Sequence, residues 1–250
     1  MIFSNMKIDI NCDMGESYGG IIVGNDEAVM PYITSANIAC GFHGGDPLTI
    51  EKTIRLALKH GVSIGAHPGY HDLKNFGRQP MTLTPDELRA SILYQVGALK
   101  SMTVTLGGRL RHVKPHGAMY NSAASDFDMA MVIAKAVRDI DSSLILVGLS
   151  QSELINAAKK VGLAYASEVF ADRAYNDDGS LVSRNIPGAV IHDTKVMIDR
   201  VIRMVKENVV ETVNGKIIPI QADTICVHGD NEVAVEFCAA ISGNNQIISK

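Results

Sequence analysis

The strongest constraint on this chain is an order: short apolar runs alternate with longer stretches of helical period, and polar motifs follow the apolar runs instead of preceding them. Ile8-Asp9-Ile10-Asn11 runs into Cys12-Asp13-Met14-Gly15-Glu16, Ser35 to Cys40 leads to His43, and Ser63 to Ala66 leads to His67. Val113 precedes Lys114-Pro115-His116, Ser167 to Ala171 meets Asp172-Arg173, and Thr224 to Val227 meets His228. A further run spans Leu144 to Gly148. Between them, Asp46-Pro47 caps a helix to His60 that Gly61 ends, and Thr84-Pro85-Asp86-Glu87 is a capping box for a helix reaching Leu106. Helical faces follow at Met129 to Val137, from Ser150 and Glu153 to Val161, from His192 to Asn208, and after Asp230.

Strand-helix alternation with about seven strand runs, several apolar throughout, predicts an α/β fold with parallel strands. The expectation is a single-domain seven-stranded (β/α) barrel, TIM-like, over residues 1–250, with a doubly wound sheet as the alternative. Either fold places ligands at the C-terminal ends of its strands, where these polar motifs fall. Two insertions, Gly69 to Met81 and Tyr175 to Pro187, would sit on that face as lids, and Val213-Asn214-Gly215-Lys216 reads as a two-residue hairpin away from it.

Composition removes several classes of function. A net charge of -4 with dispersed basic residues leaves no footprint for nucleic acid or an anionic membrane. The apolar runs are too short to cross a bilayer and the N-terminus lacks a secretory pattern, so a cytoplasmic address is expected. The four cysteines include no CxxC pair, no Gly-x-Ser-x-Gly elbow is present, and no GxxxxGK[ST] loop offers a phosphate cradle.

What remains is a convergence of titratable groups. His43, His67, His116 and His228 each end an apolar run and precede Gly or Pro, with Asp13, Glu16, Asp46, Asp172, Asp230, Lys114 and Arg173 nearby in sequence. Such a set suits hydrolysis of a small polar anion: a carboxylate or imidazole takes a proton from water, a second group protonates the leaving atom, and Lys114, Arg78, Arg173 or Arg184 holds a carboxylate or oxyanion. Asp46 ranks below Asp13 because capping already occupies it. Asp13, His43 and His67 are the first choice for a divalent metal, although no local zinc signature specifies one.

Seven segments carry a resemblance: Asn11 to Glu16, Asn37 to Pro47, Ala66 to Tyr70, Phe76-Gly77-Arg78, Lys114 to Tyr120, Glu168 to Tyr175 and Val227 to Asp230 closely resemble the LamB/YcsF family from Lys7 onward. The resemblance implies a seven-stranded barrel related to the polysaccharide deacetylase-like superfamily. It implies ATP-dependent opening of 5-oxo-L-proline to L-glutamate, carried out with 5-oxoprolinase subunits B and C. It also implies that ATP is used by the complex and not through a P-loop in this chain. Asp13, His43, His67, Lys114, His116, Asp172 and His228 are then the candidate catalytic residues, and Asn11, Glu16, Arg78, Tyr120, Arg173 and Arg184 the candidate substrate contacts. Asp13 or His43 would serve as base, His116 or His228 as acid, and His67 as a partner of the base or a metal ligand. A stand-alone metal-dependent deacetylase or amidohydrolase, or a non-catalytic binder of small carboxylic acids, would use the same residues.

Overall fold

The computed structural model describes residues 8–227 and 232–243. His228, Asp230 and Lys7 lie outside the described residues. In chain order the elements are β1 (Asp9–Met14), α1 (Asp26–Val29), β2 (Ser35–Ala39), α2 (Pro47–His60), β3 (Ser63–His67), α3 (Pro85–Thr105), β4 (Leu110–Val113), α4 (Gly117–Ser125), α5 (Phe127–Ile140), β5 (Ile145–Leu149), α6 (Glu153–Val161), β6 (Ala164–Phe170), α7 (Thr194–Lys206), β7 (Val209–Glu211), β8 (Ile217–Pro219), β9 (Thr224–Val227) and α8 (Glu232–Ser242). Seven parallel strands close into a barrel in the order β1-β2-β3-β4-β5-β6-β9. Closure comes from β9, which pairs with β6 through Glu168 and Thr224 and with β1 through Asp9 and Thr224. Among the described residues no helix is long and apolar enough to cross a membrane.

The local chemistry explains the element ends. Asp46 accepts from the Thr49 amide at the start of α2, with Pro47 in the first turn where no amide hydrogen is needed. The Thr84–Glu87 capping box opens α3 in both directions. The outward faces of the strands and the inward faces of the helices make the hydrophobic core, with Ile10, Ile38, Ile54, Ile92, Leu99, Ile133 and Leu144 fully buried. The β7–β8 connection is a hairpin, but its loop is longer than two residues. Thr212 donates its amide to the Lys216 carbonyl while the Gly215 amide closes a turn onto the Thr212 carbonyl, and Gly215 adopts φ +78. A left-handed Gly at the end of such a turn marks the three-residue hairpin with a bulge, for which Asn-Gly is equally suited.

The barrel interior departs from the continuous apolar strands expected. Asn11 receives a hydrogen bond at 3.1 Å from Lys114, which follows β4, and β4 is not a neighbour of β1. The contact therefore crosses the lumen. Alternate positions of the strands face it: Asp9, Asn11 and Asp13 of β1, Asn37 of β2, His112 of β4, Glu168 of β6 and Thr224 of β9 are linked side chain to side chain. The alternation has period two, as one pleated surface lined by polar groups requires. Gly65 shows how tightly this lumen is filled, since a Cβ there would stand 1.9 Å from the His112 ring.

Candidate active site

The lumen network surfaces at the C-terminal end of the barrel as the floor of a cavity of about 890 Å³, walled by Asp13, Glu16, His67, Lys114, His116 and Tyr120 and by both insertions. Asn75, Phe76, Arg78 and Gln79 come from the first and Asp178 to Asn185 from the second. Lys114 is 3% exposed, with its ammonium 2.7 Å from Glu168, 3.0 Å from Asp13 and 3.1 Å from the Cys226 sulfur. Burial alone would discharge it, but Asp13 and Glu168 outweigh burial and hold its pKa well above the ordinary lysine value. Lys114 thus stays charged and is spent on holding carboxylates.

Asp13 is fixed from one side. Its Oδ1 accepts from Lys114 and, at 2.8 Å, from Asn37, whose other contacts are Asn11 and His112. Its Oδ2 is left to face His67 Nε2 at 3.2 Å. His67 Nδ1 donates to the Lys114 carbonyl at 2.7 Å, so Nε2 presents its lone pair to the cavity. His116 is set the opposite way: Nε2 donates to the Phe76 carbonyl at 2.9 Å, which leaves Nδ1 as the acceptor. These two acceptor nitrogens stand 2.9 Å apart, with Glu16 Oε1 3.5 Å from His116 Nδ1. Two bare lone pairs repel at this separation, so the pair calls for a proton or a cation between them.

Glu16, His43, His67 and His116 are all buried, and each offers a ligand atom within 4.8 Å of the others. That group can hold a metal ion, and its chemistry of three imidazoles and one carboxylate fits a divalent transition metal. Asp13 is not part of this group although it approaches the same His67 nitrogen, while Glu16 and His116 belong to it. His43 is fully buried and does not line the cavity. It stacks on His116 with ring centroids 3.7 Å apart and approaches Glu16 at 3.1 Å. Burial, reinforced by His67, holds the His43 pKa well below the usual histidine range, and burial with His43 does the same to His116.

The other expected residues divide. Arg78, Tyr120, Arg173 and Arg184 line the cavity, whereas Asn11 lies beneath it as a partner of Lys114 and Asp172 does not reach the wall. The four cysteines are free, and burial raises the Cys12, Cys40, Cys226 and Cys238 thiols, which keeps them protonated and poor nucleophiles. Glu168 and His112 do not stand out in the sequence as site residues. Glu168 is fully buried, pairs with Lys114, and faces the Tyr120 hydroxyl, whose pKa is raised first by burial and then by this carboxylate. The available signal is a charged residue inside an otherwise apolar parallel strand, a position where Glu is rarely found without a partner.

A sequence profile described as the LamB/YcsF family matches residues 8–247. The chain is 54% identical to the 5-oxoprolinase A subunit of Alkaliphilus metalliredigens over 92% of its length and 90% of the relative's. It is 54% identical to the protein of the same name from Thermococcus onnurineus, covering 94% and 92%. The crystal structure of the lactam utilization protein from Thermus thermophilus superposes with a TM-score of 0.90 at 44% identity, covering 97% of this chain and 96% of that one.

Proposed function

The chain belongs to the LamB/YcsF family, and on that premise we propose that it is the lactam-opening A subunit of an ATP-dependent 5-oxoprolinase, working with subunits B and C to convert 5-oxo-L-proline to L-glutamate. The observation that carries the reading is the Lys114–Asp13–His67–His116 array on the floor of one cavity: a carboxylate fixed by a permanent cation, followed by two imidazoles whose free lone pairs meet. Asp13 Oδ2, or His67 Nε2 behind it, accepts the proton of a water attacking the lactam carbonyl carbon. The same proton, held between His67 Nε2 and His116 Nδ1, is delivered to the ring nitrogen as the C–N bond breaks. Lys114 keeps Asp13 ionised, and Arg78, Arg173 or Arg184 receives the substrate carboxylate. Opening an unstrained lactam has little driving force, so activation by ATP elsewhere in the complex accords with the lack of a phosphate loop in this sequence. In place of the proton between His67 and His116, Glu16, His43, His67 and His116 would hold a divalent metal, which when bound supplies Lewis acidity toward a carbonyl or a water and leaves Asp13 as the base.

The experiment is an assay of oxoproline-dependent ATP hydrolysis and glutamate release with and without the two other subunits. Full turnover only with all three is the expected result, and full-rate turnover by this chain alone would reject the division of labour. The Glu-His-His-His group also suits a metal-dependent amidohydrolase acting alone. Activity on an N-acyl substrate that needs neither ATP nor partners, and is lost on chelation, would favour that reading.

A further inference from the structure

The proton-handling residues occupy the β1 to β4 side of the cavity, and the β5 and β6 side carries different groups. Leu149 at the end of β5 pairs with Glu168 of β6, and Ser150 donates its amide to the Glu168 carbonyl, so the segments that follow these strands stand side by side. Ser150, Gln151 and Ser152 lead into α6, Arg173 follows β6, and all four line the cavity. Ser152 is the N-cap of α6 but makes no capping hydrogen bond. Serine at that position ordinarily accepts from an amide one turn in. Here the residue is 6% exposed, and its hydroxyl is buried with no hydrogen-bond partner among the described residues. Gln151 beside it holds φ +64, in the left-handed region that residues with a side chain rarely adopt. Strain and an unused buried donor at a cavity wall mark a place completed by a ligand.

Arg173 gives a second, independent sign. It is also 6% exposed, donates one terminal N–H to the Val182 carbonyl, and leaves Nε buried without a partner among the described residues. Burial, and then the like charge of Arg184, bring its pKa down to about 10, so two guanidinium groups crowd one cavity wall. Asp172, the residue before Arg173, offsets part of this positive charge but does not line the cavity, and two further carboxylates at its edge are engaged locally. Glu153, in the first turn of α6, accepts from Asn156, and the exposed Asp178 accepts from Ser180.

We propose that Ser152, the first turn of α6, Arg173 and Arg184 form an oxyanion subsite of this cavity, which takes the carboxylate of the lactam substrate or a phosphoryl group on its activated form. A helix N-terminus presents amide donors and positive potential, and guanidinium binds either oxyanion through paired N–H groups. The identity of the ligand rests on the reading under Proposed function; the anion chemistry does not. An anion held at the β5 and β6 side leaves the rest of the molecule reaching across the cavity toward Asp13, His67 and His116.

The test is calorimetric titration of the full chain, without partners or nucleotide, using 5-oxo-L-proline and inorganic phosphate as separate probes. Ser152→Ala should weaken binding by about tenfold, the loss of one hydrogen bond to a charged group, while the melting temperature holds because the hydroxyl has no partner among the described residues to lose. Arg184→Gln should weaken it at least as much. Loss confined to 5-oxo-L-proline assigns the subsite to a carboxylate; loss that includes phosphate assigns it to a phosphoryl group. Wild-type affinity of both variants for both probes, or no binding of either probe to the wild type, overturns the subsite. Failure of ATP-dependent glutamate release with partners present would reject the oxoprolinase reading and leave the binding result standing.

Discussion

The two sides of the cavity differ in which half of a hydrogen bond they offer. On the β1 to β4 side, Asp13, Glu16, His67 and His116 present oxygens and lone pairs, held in place by donors beneath them: Lys114, Asn37 and, through Asn37, His112. On the β5 and β6 side, Arg173, Arg184 and Ser152 present donors, and among the described residues the Ser152 hydroxyl and Arg173 Nε have nothing to donate to. On the proposals above, one side moves a proton and the other holds charge still. The difference teaches where binding ends and chemistry begins, because losses on the first side should appear in kcat and stability and losses on the second in affinity.

The sharpest way to break this contrast is Asp13→Asn, which keeps the shape but removes the proposed base. Glutamate release by the complete complex should fall about a hundredfold to ten-thousandfold in kcat with KM changed little. A variant that loses only affinity would move Asp13 into the binding side. Next in size, Glu168→Gln takes one of two carboxylates from the buried Lys114 ammonium. Unfolding in denaturant should show a loss on the order of 3 kcal/mol, since a buried charge is left under-compensated. An unchanged midpoint would mean that Asp13 suffices for Lys114.

The smallest effect concerns pH and the layer under the proton-handling side. Burial lowers the His112 pKa from 6.5 to about 4. The unfolded chain therefore takes up a proton at this residue as pH falls below 6.5 while the folded chain resists, and stability drops through the window from 6.5 to about 4. Thermal melts across that range should show a falling melting temperature, with a shallower slope in His112→Asn. Equal slopes would remove His112 as a source of acid sensitivity.

Much of the fold was legible because it is written in local periodicity and caps. The α2 helix runs from Pro47 to His60 as its Asp-Pro start and Gly61 stop require, and α3 begins at the Thr84–Glu87 box. The α4 helix escapes such reading for a physical reason: it spans only nine residues, its exposed side is reduced to Asn121 and Ser125, and half of its buried side is the small Ala118 and Ala123, so the apolar period is weak. The segment between β1 and β2 likewise resists reading, because only the short α1 helix and a single 3₁₀ turn at Met30–Tyr32 occupy the place of a full helix. At the site, the motifs after each strand named most of the cavity wall. They did not reveal that His43 lies behind it, that Asn11 supports Lys114 from below, or that Glu168 is the ammonium's second partner.

The sequence by itself determined the alternation of strand and helix, the caps, and the end of the barrel at which polar groups gather, since each depends on residues within a turn or two of one another. Only the tertiary structure decided which groups meet. Lys114 and Asn11 become partners because closure of seven strands brings the walls of one lumen into contact, and Gly65 and His112 because their strands pair side by side in register. There a side chain's charge, tautomer and freedom are set by neighbours far away in the chain, and no local pattern records them.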